Sequence, residues 1–127
     1  KDLGLLDQAE QNITRSLSIL EELYENKATR HKAVAYRIFG DICDEKGLLT
    51  KAQGNYLKSE DLYKEIFKVF EIDEISDLYA KLAINSAKLK NPHATLHYLD
   101  THKSLFGKTH KRTFEIINYL NDHNLPF

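Results

Sequence analysis

The chain repeats itself. LGLLDQAEQN at residues 3–12 returns as KGLLTKAQGN at residues 46–55, and a fixed period constrains architecture before any local preference does. Three segments align on a small residue, a bulky apolar residue four later and a small hydroxyl residue three after that. They are Ala9, Ile13 and Ser16; Ala52, Tyr56 and Ser59; and Ala94, Tyr98 and Thr101, at offsets of 43 and 42 residues. Between them lies a second pattern, Tyr36, Phe39, Gly40 and Cys43 against Tyr79, Leu82, Ala83 and Ser86, again 43 residues apart. Two kinds of segment therefore alternate.

Both kinds follow a helical period. Tyr36, Phe39 and Cys43 share one stripe, and Ala52, Tyr56, Ser59, Tyr63, Ile66, Phe67 and Phe70 make another at steps of one, three and four residues, the pattern of amphipathic helices. Six helices are predicted, near residues 7–25, 30–46, 50–70, 74–90, 92–105 and 110–122, and no strand. Gly40 in mid-helix costs about 1 kcal/mol of helix propensity, so it needs a reason, and close approach of a neighbouring helix supplies one. Ala83, Ala52 and Ala94 read the same way. Gly47 is placed to end the second helix, and Thr50, with Gln53 three residues on, is placed to cap the third. Gly4 and Asp7 hold the corresponding posts at the opening. Asn91 and Pro92 supply a cap and a first-turn proline to the fifth helix, Gly107 stops it, and Thr109 caps the sixth.

Composition narrows the function classes. A length of 127 residues suits one domain that buries roughly two-thirds of its unfolded surface. Eighteen basic against nineteen acidic residues leave a net charge of −1, so no broad field is available for a phosphate backbone or an anionic membrane. Direct nucleic-acid binding and membrane association are not expected. No signal-peptide pattern is present at the start, and the one cysteine, Cys43, fits a reducing cytosol. The absence of Met, with a start inside the repeat motif, predicts a piece of a larger protein.

The residues at these posts resemble the tetratricopeptide repeat, whose first helix carries an aromatic, a Leu-Gly pair and an aromatic, and whose second carries Ala and an aromatic. Tyr36, Phe39, Gly40, Ala52 and Tyr56 stand there, and Tyr79, Leu82, Ala83, Ala94 and Tyr98 do so again. Cys43 and Ser86 replace a usual aromatic, and the proline common near the repeat's end is missing, which lets the second helix run on and lengthens the period. Repeats of this length resemble those of peptide-sensing regulators of Gram-positive bacteria and of kinesin light chains. The resemblance implies an all-α, right-handed solenoid of six antiparallel helices. Its parts are a partial repeat at 1–29, repeats at 30–72 and 73–108, and a C-terminal helix at 109–127. Helix pairs in such stacks bury their stripes only against neighbours, which predicts a raw N-terminal end, with Leu5, Leu6 and Ala9 as its exposed apolar patch. An upstream repeat or a homodimer contact would cover it.

The same resemblance implies a protein or peptide ligand on the concave face, lined by first-type helices. Arg37, Asp41 and Asp44 from one repeat, then Ala80, Ile84 and Lys88 from the next, fall at those positions. The implied function is a non-catalytic protein- or peptide-binding module, or the peptide-sensing portion of a regulator. No enzyme activity and no cofactor are expected.

The chemistry-bearing residues have plainer explanations. His93 and His97 are four apart, with His102 beyond, a spacing at which two imidazoles can share an ion. No accompanying carboxylate or thiol completes a zinc pattern, so a surface histidine cluster and no metal are predicted. Asp73, Glu74 and Asp77 precede and open a helix, where its dipole favours acids. Cys43, on a buried stripe, reads as packing.

Overall fold

The structure, a computed structural model, describes residues 2–67 and 73–126. Those residues form six α-helices and no strand: α1 (Leu3–Leu23), α2 (Arg30–Glu45), α3 (Leu49–Ile66), α4 (Asp73–Lys88), α5 (Pro92–Phe106) and α6 (Lys111–Asp122). Each predicted helix is present, and its ends lie within four residues of those expected. The chain divides into two compact units, one through residue 68 and one from residue 69. Helices pack mostly on their sequence neighbours, α2 on α1 and α3 in the first unit and α4 on α5 in the second, where α4 also packs on α6. No helix among the described residues is long and apolar enough to cross a membrane.

In the first unit α2 runs antiparallel to both its neighbours. Lys46 at its C-terminal end meets Asp7 and Glu10 near the start of α1, at 2.6 and 3.4 Å, while Lys32 near its start meets Glu21 near the end of α1, at 3.5 Å. Against α3, Asn55 Nδ2 donates to Cys43 Sγ (3.7 Å), and the Tyr56 hydroxyl donates to Asp41 (2.7 Å). Ser59 Oγ donates to the Ala33 carbonyl at 2.7 Å. The close approach expected at Gly40 is real: a Cβ there would lie 2.5 Å from two ring carbons of Tyr56. Ala33, Cys43, Ala52 and Ser59 are fully buried in the same seam. Cys43 is thus a packing residue, and burial pushes its thiol pKa up.

The second unit is built around a buried cluster of Ala80, Ala83, Ala87, Leu99, Ile116 and Leu120, flanked by Tyr98, Ile117 and Leu125. Leu99 from α5 and Ile116 and Leu120 from α6 are wholly buried in a cluster with the small residues Ala80, Ala83 and Ala87 of α4. Ala83 holds here the post that Gly40 holds in the first unit.

The helix ends correct several sequence expectations. α1 begins four residues early because Asp2, not Asp7, caps it: the Asp2 carboxylate accepts from the Gly4 and Leu5 amides, so Gly4 lies inside the first turn and ends nothing. At the second copy of the motif Gly47 does end a helix, at φ 79°. The Leu48 amide donates to the Cys43 carbonyl and the Gly47 amide to that of Asp44, the paired bonds of a Schellman closure. That geometry makes Leu48 the N-cap of α3 and puts Thr50 within the helix, with no side-chain cap. Asn91 caps α5 as expected, accepting from the Ala94 amide at 3.1 Å, with Pro92 first in the helix. Gly107 ends α5 at φ 95°. His110, rather than Thr109, caps α6, its Nδ1 accepting from the Arg112 amide. α3 closes at Ile66, and Phe70 lies outside the described residues.

Candidate functional site

α1 and α3 both lie against α2, and because each is antiparallel to it they run in the same direction. The trough between them is closed at one end by salt bridges: Lys46 to Asp7 and Glu10, and Lys51 to Glu10 at 3.3 Å. The hydrogen bond to Asp7 holds the Lys46 ammonium above its ordinary pKa. Towards the other end the trough opens into a cleft of about 300 Å³, at the lower limit of small-ligand sites.

Lys32 and Tyr36 of α2 line the cleft together with Glu21 of α1 and Lys58, Asp61 and Glu65 of α3. Lys32 is only 3% exposed, and a buried ammonium is stable only if paired. It donates to the Tyr24 carbonyl and lies 3.5 Å from Glu21. The Tyr36 hydroxyl donates to the other oxygen of Glu21 at 3.4 Å, and the Lys58 ammonium sits 5.3 Å from the centre of its ring. Burial first, and then the Glu21 charge, raise the Tyr36 pKa, so the phenol stays a neutral donor. Such a cleft holds matched cations and anions around one aromatic face. Its lining offers hydrogen-bond donors and acceptors of both charge signs.

The residues assigned from the sequence to a concave face are placed as follows. Arg37, Asp41 and Asp44 are half-buried on α2, and the Asp41 carboxylate is engaged by Tyr56. On α4, Ala80 is 8% exposed and belongs to the cluster that packs α5 and α6. Ile84 and Lys88 are half-buried, and the Lys88 ammonium lies 5.8 Å from the centre of the Tyr119 ring. Arg37, Asp41 and Asp44 share one unit and Ala80, Ile84 and Lys88 the other.

The histidines correct the expectation of a surface cluster. His93 and His97 are exposed, but His102 is completely buried. Its Nε2 lies 2.8 Å from Ser76 Oγ on α4 and its Nδ1 3.0 Å from Thr113 Oγ1 on α6. The Thr113 hydroxyl donates to the Gly107 carbonyl at 3.0 Å, so the Thr113 oxygen accepts from His102 and the proton resides on Nδ1. Nε2 then accepts from Ser76, whose oxygen in turn accepts from Arg112 at 3.2 Å. Arg112 also grips both oxygens of Asp73, at 2.5 and 3.4 Å, and these bonds raise its pKa. Burial chiefly, with the charges of His110 and Arg112, lowers the His102 pKa to about 4.

Ser76 and His102 have the spacing of a nucleophile and its base, yet neither has exposed surface. Their chain of directed hydrogen bonds joins α4, α5 and α6 and runs on through Arg112 to Asp73. A signal for His102 was present in the repeat itself: Leu17, Glu60 and His102 occupy one post at offsets of 43 and 42, and all three are buried. Among the described residues no three His, Cys, Asp or Glu side chains are grouped so as to hold a metal ion. In comparison with known proteins, no family model, no curated protein and no solved structure matches this chain.

Proposed function

We propose that this chain is a non-catalytic interaction module of the tetratricopeptide type, a right-handed helical stack that binds a peptide segment of another protein. The observation that carries the proposal is the cleft beside Tyr36, open to solvent and lined by lysines and acids in balance. An extended peptide presents alternating amides and charged side chains, and such a surface satisfies both without deep desolvation. The α2 face with Arg37, Asp41 and Asp44 is a second surface offered to the same kind of ligand. The repeated helix pairs, with Gly40 under Tyr56 and Ala83 at the matching post, support the repeat class.

The two surfaces are separated by two exposed or half-exposed charge reversals, Arg37→Glu and Lys58→Glu, assayed by fluorescence anisotropy against a labelled peptide library. A loss of affinity of tenfold or more with Lys58→Glu alone assigns the peptide to the cleft. The same loss with Arg37→Glu alone assigns it to the α2 face. No peptide bound with a Kd below about 1 mM, or binding indifferent to both changes, refutes the proposal.

A further inference from the structure

We propose that the cleft beside Tyr36 selects an extended peptide in which an acidic and a basic side chain stand two residues apart. The inference rests on the peptide reading of that cleft and adds the chemistry of the ligand. One wall of the cleft is a single stripe of α3. Lys58, Asp61, Leu62 and Glu65 all line it, at steps of three, one and three residues, which puts them on one face of the helix. Charge is sorted along this stripe. A cation stands at one end, and beyond it two carboxylates one turn apart flank a half-buried leucine.

The charges on the other walls are already paired. The Lys32 ammonium is buried against Glu21 and the Tyr24 carbonyl, and Glu21 also accepts from the Tyr36 hydroxyl. The α3 stripe is different. Asp61 and Glu65 have no salt-bridge partner among the described residues, and the nearby Lys64 is held by Glu60 at 3.5 Å. Lys58 rests over the Tyr36 ring, 5.3 Å from its centre, a contact that gives it no carboxylate. Lys27, from the connection after α1, also lines the cleft but lies off the stripe.

The spacing of these charges selects the ligand. At 1.5 Å per residue the midpoint of Asp61 and Glu65 lies about 7.5 Å along α3 from Lys58. An extended chain advances about 6.6 Å over two residues and returns its side chains to the same face. A peptide carboxylate at Lys58 therefore sets a cation two residues on against Asp61 and Glu65. The stem of that basic side chain lies over Leu62 and the edge of Tyr36, as long cationic side chains do on apolar surface. Adjacent acidic and basic residues point to opposite faces of an extended chain and cannot engage both ends of the stripe. Exposed ion pairs of this kind contribute about threefold each in affinity, so about tenfold together.

The test is an NMR titration of the full chain with end-blocked, alanine-flanked peptides carrying Glu-Ala-Lys, Glu-Lys-Ala, Glu-Ala-Ala, Ala-Ala-Lys or Ala-Ala-Ala. Glu-Ala-Lys should bind about tenfold tighter than the neutral peptide and about threefold tighter than each of the others, with shifts centred on Tyr36 and Leu62. Lys58→Gln should remove the gain from the glutamate and leave that from the lysine. The double variant Asp61→Asn, Glu65→Gln should do the reverse. Equal affinity across the set with shifts at Tyr36 overturns this inference and leaves the peptide reading standing. So does a Glu-Lys-Ala peptide that binds as well as Glu-Ala-Lys, or charge gains that survive both sets of substitutions. A Glu-Ala-Lys peptide that fails to bind while the peptide library yields a cleft binder overturns it too. A library with no binder fells both readings together.

Discussion

Gly40 has no side chain because Tyr56 occupies the space. A methyl group there would sit 2.5 Å from the aromatic ring, and the ring is held by its own hydrogen bond to Asp41, so it cannot swing aside without breaking that bond. Gly40→Ala should therefore destabilise the first unit by about 1–3 kcal/mol, despite alanine's better helix propensity, as read by urea denaturation. An unchanged or increased midpoint would refute the close contact. The need for a small residue at Gly40 was visible in its repetition as Ala83. That the neighbour is a tyrosine ring, tied down from its far end, was not. His102 was misjudged for the opposite reason. Histidine is compatible with surface and core alike, and burial depends on hydroxyls contributed by Ser76 and Thr113, which lie 26 and 11 residues away.

At the scale of the element, the helix ends repeat more faithfully than the residues that make them. The Schellman closure at Gly47 recurs after α4, where the Asn91 amide donates to the Ser86 carbonyl and the Lys90 amide to that of Ala87. The residue in the left-handed conformation there is Lys90, at φ 62°. A side chain in that region costs about 1–2 kcal/mol that glycine does not incur. Lys90 is exposed, so Lys90→Gly should stabilise the second unit by about 0.5–1 kcal/mol after allowing for the freer unfolded chain. A lowered thermal midpoint would show that Lys90 has a contact worth more than the strain. Asn91 and Pro92 announced this joint in the sequence because a cap and a first-turn proline are local chemistry. The early start of α1 was hidden: Asp2 and Asp7 are equally good caps, and only the helix that forms decides between them.

For the molecule as a whole, acid should act through His102. Unfolded, its imidazole titrates near the ordinary 6.5; folded, it stays neutral down to about 4. Between those values the unfolded chain binds the extra proton, so stability is full above 6.5, falls as pH drops towards 4, and loses nothing further from this group below that. The total is roughly 3 kcal/mol, to be measured as unfolding free energy against pH. A folded-state NMR titration placing His102 near 6.5 would refute it. The number and spacing of the helices among the described residues, and the small residues Gly40, Ala52 and Ala83 buried between them, were determined by the sequence alone. Each follows from periodicity and short-range sterics, which are written residue by residue. Only the tertiary structure decided which stripe of α1 meets α2 and which is left open. It alone brought Lys32, Glu21 and Tyr36 together in one cleft, and enclosed His102 between two hydroxyls. Those outcomes depend on burial and on directed bonds between residues far apart in the chain, whose partners no local pattern names.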